Sequence, residues 1–189
     1  REIGDLRTAI ERNPDDFRAH FKLGVRYTEM ELFDRAIGEF KEVIRIRPNQ
    51  ADAHINLGIL YKDKGMIDEA IHELIVVTTL RPDDAETRIL LAGLYEHRND
   101  KAFAIKELTE AARLRPNDVA VRFILSELLV KEDHIKEAIE RLKEITQVAP
   151  DNVEAHYNLG VVYGKRSLRG AADNDGFIKE APAGGAFTD

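Results

Sequence analysis

Residues 51–84 read ADAHINLGILYKDKGMIDEAIHELIVVTTLRPDD, and the fold follows from how their apolar residues are spaced. Leu57, Leu60 and Tyr61 recur at helical spacing in the first half, as do Ala70, Ile71, Leu74 and Val77 in the second. Apolar residues three and four apart share one face of a helix, whereas a strand facing a core alternates them every second residue. Gly65 interrupts the two runs and Pro82 closes the second. The stretch therefore predicts two antiparallel helices joined by a tight turn, each with one apolar face.

Outward from this stretch the pattern recurs. Five of the six prolines, Pro14, Pro48, Pro82, Pro116 and Pro150, are each 34 residues apart, which is the mark of a repeat array. With that proline at position 32, four full repeats cover 17–50, 51–84, 85–118 and 119–152 without insertion or deletion. Residues 1–16 hold the second helix of a preceding partial repeat, and 153–172 the first helix of a fifth, incomplete one. Position 7 is Leu23, Leu57, Leu91, Leu125 and Leu159, and position 8 is always small: Gly24, Gly58, Ala92, Ser126 and Gly160. Position 11 is Tyr27, Tyr61, Tyr95, Leu129 and Tyr163; position 20 is Ala36, Ala70, Ala104, Ala138 and Ala172. Position 24 is Phe40, Leu74, Leu108 and Leu142. Small residues at positions 8 and 20 let paired helices approach closely, so bulk there overpacks the hairpin. Position 15, between the helices, is Gly65, Asn99 and Asp133, types that tolerate a left-handed backbone, while Glu31 departs from this. After each proline an Asp or Asn, as in Asp84, Asp118 and Asn152, is placed to cap the next helix.

These columns resemble the tetratricopeptide repeat pattern over roughly residues 1–172. The resemblance implies an all-α fold, a right-handed superhelical α-solenoid of stacked antiparallel helix hairpins with a concave and a convex side. A single hairpin cannot bury its apolar face alone, so stability is expected to come from stacked neighbours.

The function the resemblance implies is a protein–protein interaction scaffold, with a peptide or amphipathic helix held in the concave groove. Family ligands are generally met by positions 2, 5, 9, 12 and 13 of the first helices. Position 5 is Phe21, Ile55, Ile89, Phe123 and Tyr157, an unbroken apolar or aromatic column, and position 9 is Val25, Ile59, Gly93, Glu127 and Val161. An apolar stripe flanked by charge suits a helix or extended peptide. The flanking charges include Lys62, His97, Lys131 and Lys165 at positions 12 and 13, and Arg18, Asp52, Glu86 and Glu154 at position 2. Packing between neighbouring first helices is the competing role for the position 5 column. The family's clamp for chaperone C-termini needs Lys and Asn at positions 5 and 9 of one repeat. Phe21 and Val25 stand there in repeat 1, and Glu86 and Leu90 replace the basic pair in repeat 3. Two other roles remain open: a regulatory or substrate-docking arm of a larger enzyme such as a glycosyltransferase, and a self-assembling structural array.

Composition narrows the rest. A net charge of −7 argues against a general nucleic-acid binder, which needs surplus Lys and Arg. No run of 18 apolar residues suggests membrane insertion, and the first residues lack the apolar core of a signal peptide. The cytoplasm is the expected compartment. The periplasm stays open, because there is no Cys and the chain starts without Met inside an amphipathic pattern, as an excerpt of a longer protein would.

Neither catalysis, a cofactor nor a metal is expected. His20, His54 and His156 all occupy position 4, where the family often carries Trp, so their spacing is the repeat itself. Packed helices stand roughly 10 Å apart, too far for two imidazoles to share zinc. His72, His97 and His134 fall at three unrelated positions. Asp173-Asn174-Asp175-Gly176 has part of a calcium-loop pattern, but its twelfth position would be Pro182 instead of a bidentate acid.

The C-terminal end breaks the pattern: position 24 becomes Gly176 and position 32 Gly184, so 173–189 is expected to be a flexible tail. Leu159, Val162 and Tyr163 would then lack a second helix of their own, covered in part by repeat 4. Such an uncapped end is expected to support weak association with a second copy.

Overall fold

The structure is a computed structural model that describes residues 1–178, with side chains described through Leu168. Among the described residues every regular element is an α-helix. They are α1 (Glu2–Arg12), α2 (Phe17–Glu29), α3 (Phe33–Ile46), α4 (Ala51–Asp63), α5 (Ile67–Leu80), α6 (Ala85–His97), α7 (Lys101–Leu114), α8 (Val119–Lys131), α9 (Ile135–Val148) and α10 (Val153–Ile178). The helices group into two compact blocks, Arg1–Pro116 and Asn117–Asp189. In the first block α1 to α7 pack on one another in chain order, and in the second α9 packs on both α8 and α10. Helices α2/α3, α4/α5, α6/α7 and α8/α9 are the four expected hairpins, with α1 as a preceding second helix.

Each hairpin closes around the small positions. Ala36, Ala70, Ala104 and Ala138 have no exposed surface. A Cβ added to Gly24 would stand 3.0 Å from the Phe40 ring, and one on Gly58 would stand 2.9 Å from Leu74 Cδ2, so glycine sets the distance between α2 and α3 and between α4 and α5. Leu23, Leu57, Leu91 and Leu125, from position 7, complete the buried layer.

The turn inside each hairpin depends on one left-handed residue. Glu31, Gly65, Asn99 and Asp133 have φ of 59°, 75°, 67° and 68°. The next residue's N–H then reaches back to the carbonyl of position 11, as Leu32 to Tyr27 and Met66 to Tyr61, both at 2.8 Å, closing the last helical turn in the manner of a Schellman motif. Glu31, expected to differ, is forced into the same geometry because its neighbours need that turn, although a side chain with a Cβ costs about 1–2 kcal/mol there.

Four of the five expected caps form; after Pro48 the N-cap is Gln50, whose side chain makes no cap bond. Asp16 accepts from the N–H of Arg18 and Ala19, Asp84 from Thr87, Asp118 from Ala120 and Val121, and Asn152 from Ala155. Neighbouring repeats of the first block are also tied by ion pairs that repeat in register: Lys64 with Asp34, and Arg98 with Asp68 at 2.7 Å, each joining position 14 to position 18 of the preceding repeat.

The C-terminal end differs from the expected tail. α10 runs unbroken from Val153 to Ile178, so residues 173–178 are helical. Position 15 of this repeat is Ser167, which lacks the left-handed tolerance of Gly, Asn or Asp, and Ala171 and Ala172 favour helix. The rest of the expected tail, 179–189, lies outside the described residues. Val162 is buried by the second block, while Leu159 and Tyr163 are half-covered.

Candidate functional site

The position 5 column lies along the first helices as the spacing requires, but its members do not share one environment. Phe21, Ile55, Ile89 and Phe123 are half-buried. The Phe21 ring meets Phe40 edge-on at 5.5 Å between centroids, so that side chain belongs largely to its own hairpin. Tyr157 on α10 is 70% exposed. At position 9, Val25 and Ile59 are half-buried, and Glu127 and Val161 are exposed.

Two pockets gather expected residues. In the first block a pocket of 470 Å³ is lined by Lys62, Gly65, Ile67, Ile89, Leu90, Gly93, Leu94 and His97. Its origin is one absent side chain. Position 9 carries Val25 and Ile59 in the two preceding repeats but glycine here, and a Cβ on Gly93 would meet nothing within 4 Å. In the second block a pocket of 340 Å³ lies among α8, α9 and α10, lined by Phe123, Ser126, Glu127, Val130, Leu142, Glu154, Asn158, Val161 and Val162. Phe21, Val25, Ile55, Ile59, Lys131, Tyr157 and Lys165 lie outside these two pockets. Ile67, Leu90, Leu94, Val130 and Val162 were missed by position-by-position reading. They sit beside or behind the contact positions, and Ile67, Leu90 and Leu94 line a pocket because their neighbour Gly93 has no side chain.

Several flanking charges are engaged within their own block. Arg81 bonds Asp52 at 2.8 Å, an interaction that holds the guanidinium above its ordinary pKa, and Arg115 bonds Glu86 at 2.6 Å. Glu127 pairs with Lys131 at 3.0 Å. Lys62 and His97 flank the first-block pocket on exposed positions.

The position 4 histidines have a structural task. His20 places one ring nitrogen 2.6 Å from Glu39 and the other 3.0 Å from the Pro14 carbonyl; His54 does the same with Glu73 at 2.6 Å and Pro48 at 2.8 Å. Arg88 substitutes for the imidazole with Glu107 at 2.8 Å and the Pro82 carbonyl at 3.1 Å. Each of these three side chains clasps the second helix of its hairpin and the loop that ends the preceding repeat. In repeat 4 the acid has moved: Arg122 meets Glu144 at 3.1 Å, because position 23 is Arg141. His156 keeps the carbonyl contact, 2.8 Å from Pro150. Among the described residues no group of three His, Cys, Asp or Glu side chains is placed to hold a metal ion, and no helix is long and apolar enough to cross a membrane.

Helical hairpins repeating every 34 residues, closed by small residues and a left-handed turn, define an all-α helical-repeat protein. The chain belongs to the tetratricopeptide repeat family: residues 27–94 match the family described as Tetratricopeptide repeat and residues 127–166 that described as TPR repeat. Solved structures agree on the fold. The crystal structure of YrrB, described as a TPR protein with an unusual peptide-binding site, is similar with a TM-score of 0.70 and 22% identity, over 87% of this chain and 84% of that one. A crystal structure of MamA has a TM-score of 0.65 and 25% identity over 80% of this chain and 89% of its own. MamA from Desulfovibrio magneticus RS-1 has a TM-score of 0.67 and 20% identity over 80% and 85%. No curated protein matches the chain.

Proposed function

We propose that the chain is a non-catalytic protein-interaction scaffold that receives an apolar side chain of a peptide or amphipathic helix on the face of its first helices. The observation that carries this reading is the pocket opened by Gly93. It is walled by Ile67, Ile89, Leu90 and Leu94, large enough for an aliphatic or aromatic side chain, and flanked by Lys62 and His97. An apolar anchor with an acidic neighbour fits that chemistry. The second-block pocket, with Glu127 and Glu154 beside Phe123 and Val161, suits an apolar anchor next to a basic residue. The peptide-binding site described for YrrB supports the reading by likeness of fold.

The test is a peptide array followed by fluorescence anisotropy on the sequences selected. Gly93→Val fills the first-block pocket from an exposed position, and Ile89→Ala with Phe123→Ala removes a wall from each. Peptides with apolar-acidic anchors are expected to bind Gly93→Val at least about tenfold more weakly, a loss of about 1.4 kcal/mol. Unchanged affinity in both variants rejects the assignment.

A further inference from the structure

α10 presents a largely exposed apolar face, of which Val161, at the edge of the second-block pocket, is the most covered member. Val153, Tyr157, Val161 and Leu168 are 80%, 70%, 43% and 75% exposed. At 100° per residue they fall, with Gly160 and Gly164, within one sector about 100° wide. A Cβ on either glycine would meet nothing within 4 Å. In the hairpins of α2 and α4 the position of Gly160 is filled against a second helix, by Phe40 and Leu74. Here four large apolar side chains and two bare stretches of backbone stand open on one helix. An exposed, continuous apolar face on a helix marks an interaction surface.

The face is complementary to itself when the second helix runs antiparallel. With the two chains centred between Gly160 and Val161, Tyr157 of one copy lies opposite Gly164 of the other, and Val161 opposite Gly160. Val153 then meets Leu168. Each bulky residue thus faces a bare or apolar position, the arrangement that lets helices pack closely. Charge agrees with this direction. Glu154 and Lys165 lie on the same flank of the face, 11 residues apart. In an antiparallel pair the same flanks meet, so Glu154 faces the second copy's Lys165 twice over. In a parallel pair opposite flanks meet, so Glu154 and Lys165 would find no such partner in each other.

We propose that α10 is the contact through which two copies of this chain associate, antiparallel about a twofold axis near Gly160, with the Glu154–Lys165 pairs fixing the direction. This gives Tyr157 and Lys165, outside both pockets, a role other than peptide capture. A single helix pair buries on the order of 1,000 Å², near the lower limit for a specific interface, so the dimer is a weak one that mass action fills.

Sedimentation velocity of the full chain over about a hundredfold concentration range tests this. The wild type is expected to pass from monomer to dimer. Glu154→Lys and Lys165→Glu should each raise the dissociation constant by about tenfold or more, and the double reversal should restore it. Tyr157→Ser, at an exposed position, should remove the dimer without altering helix content. A monomer throughout overturns the proposal, as does a dimer that ignores Tyr157→Ser or a double reversal no better than the singles. Hydroxyl-radical footprinting adds a check: Tyr157 protected at dilutions where the chain is monomeric would mean that residues 179–189 cover the face, and that too overturns the proposal.

Discussion

Replacing His54 separates the clasp from mere packing. The imidazole is 6% exposed and its partner Glu73 16%, so both groups are largely out of water. His54→Ala leaves the Glu73 carboxylate with the exposed His72 imidazole at 3.7 Å in place of its 2.6 Å partner, and the Pro48 carbonyl without its donor. A hydrogen bond to a charged group is worth about 1.5–3 kcal/mol and one to a neutral carbonyl about 0.5–1.5. Pro48 is exposed, so water replaces much of the second, and the expected loss is about 2–3 kcal/mol. His54→Arg should retain most of this, because Arg88 makes the same two contacts one repeat later. It should still fall short by about 1 kcal/mol if the orphaned Nε of Arg88 is repeated at the new site. Removing both His54 and Glu73 should cost less than the sum of the single changes, since neither buried group is then stranded. Urea denaturation followed by helix circular dichroism reads these differences, with m monitored because repeat arrays can lose two-state behaviour. A His54→Ala variant within about 0.5 kcal/mol of wild type, or His54→Arg as weak as His54→Ala, would refute the clasp.

The remaining predictions concern single positions whose surroundings differ from those of their repeat equivalents. Glu31→Gly should raise stability by about 0.5–1 kcal/mol, since it relieves a left-handed Glu at some cost in chain entropy, and a lower thermal midpoint would contradict this. Gly58→Ala and Gly160→Ala occupy the same repeat position but should differ in sign. The first presses on the fully buried Leu74 and should lose about 1 kcal/mol, while the second should gain about 0.5–1 in dilute, monomeric protein from helix propensity alone. Equal effects in thermal melts would show that the hairpins tolerate a wider separation than their glycines suggest. Ala70→Leu, at a position with no exposed surface, should cost on the order of 1–3 kcal/mol by the same assay.

Much of the fold was legible because a repeat writes each physical requirement several times. One Ala in a helix says little; Ala36, Ala70, Ala104 and Ala138 at one register predict a helix crossing, and all four are fully buried. The capping residues were legible for the same reason. Glu31 was not, because its side chain does not favour the conformation that the packing of α2 on α3 imposes. The clasp left a faint signal: Glu39, Glu73 and Glu107 stand 19 residues after His20, His54 and Arg88. It was hidden by the change from imidazole to guanidinium and by the displaced acid in repeat 4. Among candidate binding residues, the columns align side chains along the first helices but do not reveal the first-block pocket, since that cavity is made by an absence, that of a side chain at Gly93. Continuation of α10 to Ile178 was obscured by Gly176 at position 24, where the earlier repeats carry Phe or Leu, which argued for an earlier end.

The clasp also gives the array a direction. Each position 4 side chain of repeats 1 to 3 reaches forward along the chain to its own second helix and backward to the proline carbonyl that ends the repeat before it. Severing the chain just after a proline strands the position 4 donor in the downstream piece, whereas severing just before it keeps that donor and its carbonyl together. The transplantable module is therefore the segment that opens with a proline, such as 48–81, and not the 51–84 frame that its helices outline. Anyone shortening or splicing this protein should cut upstream of the prolines.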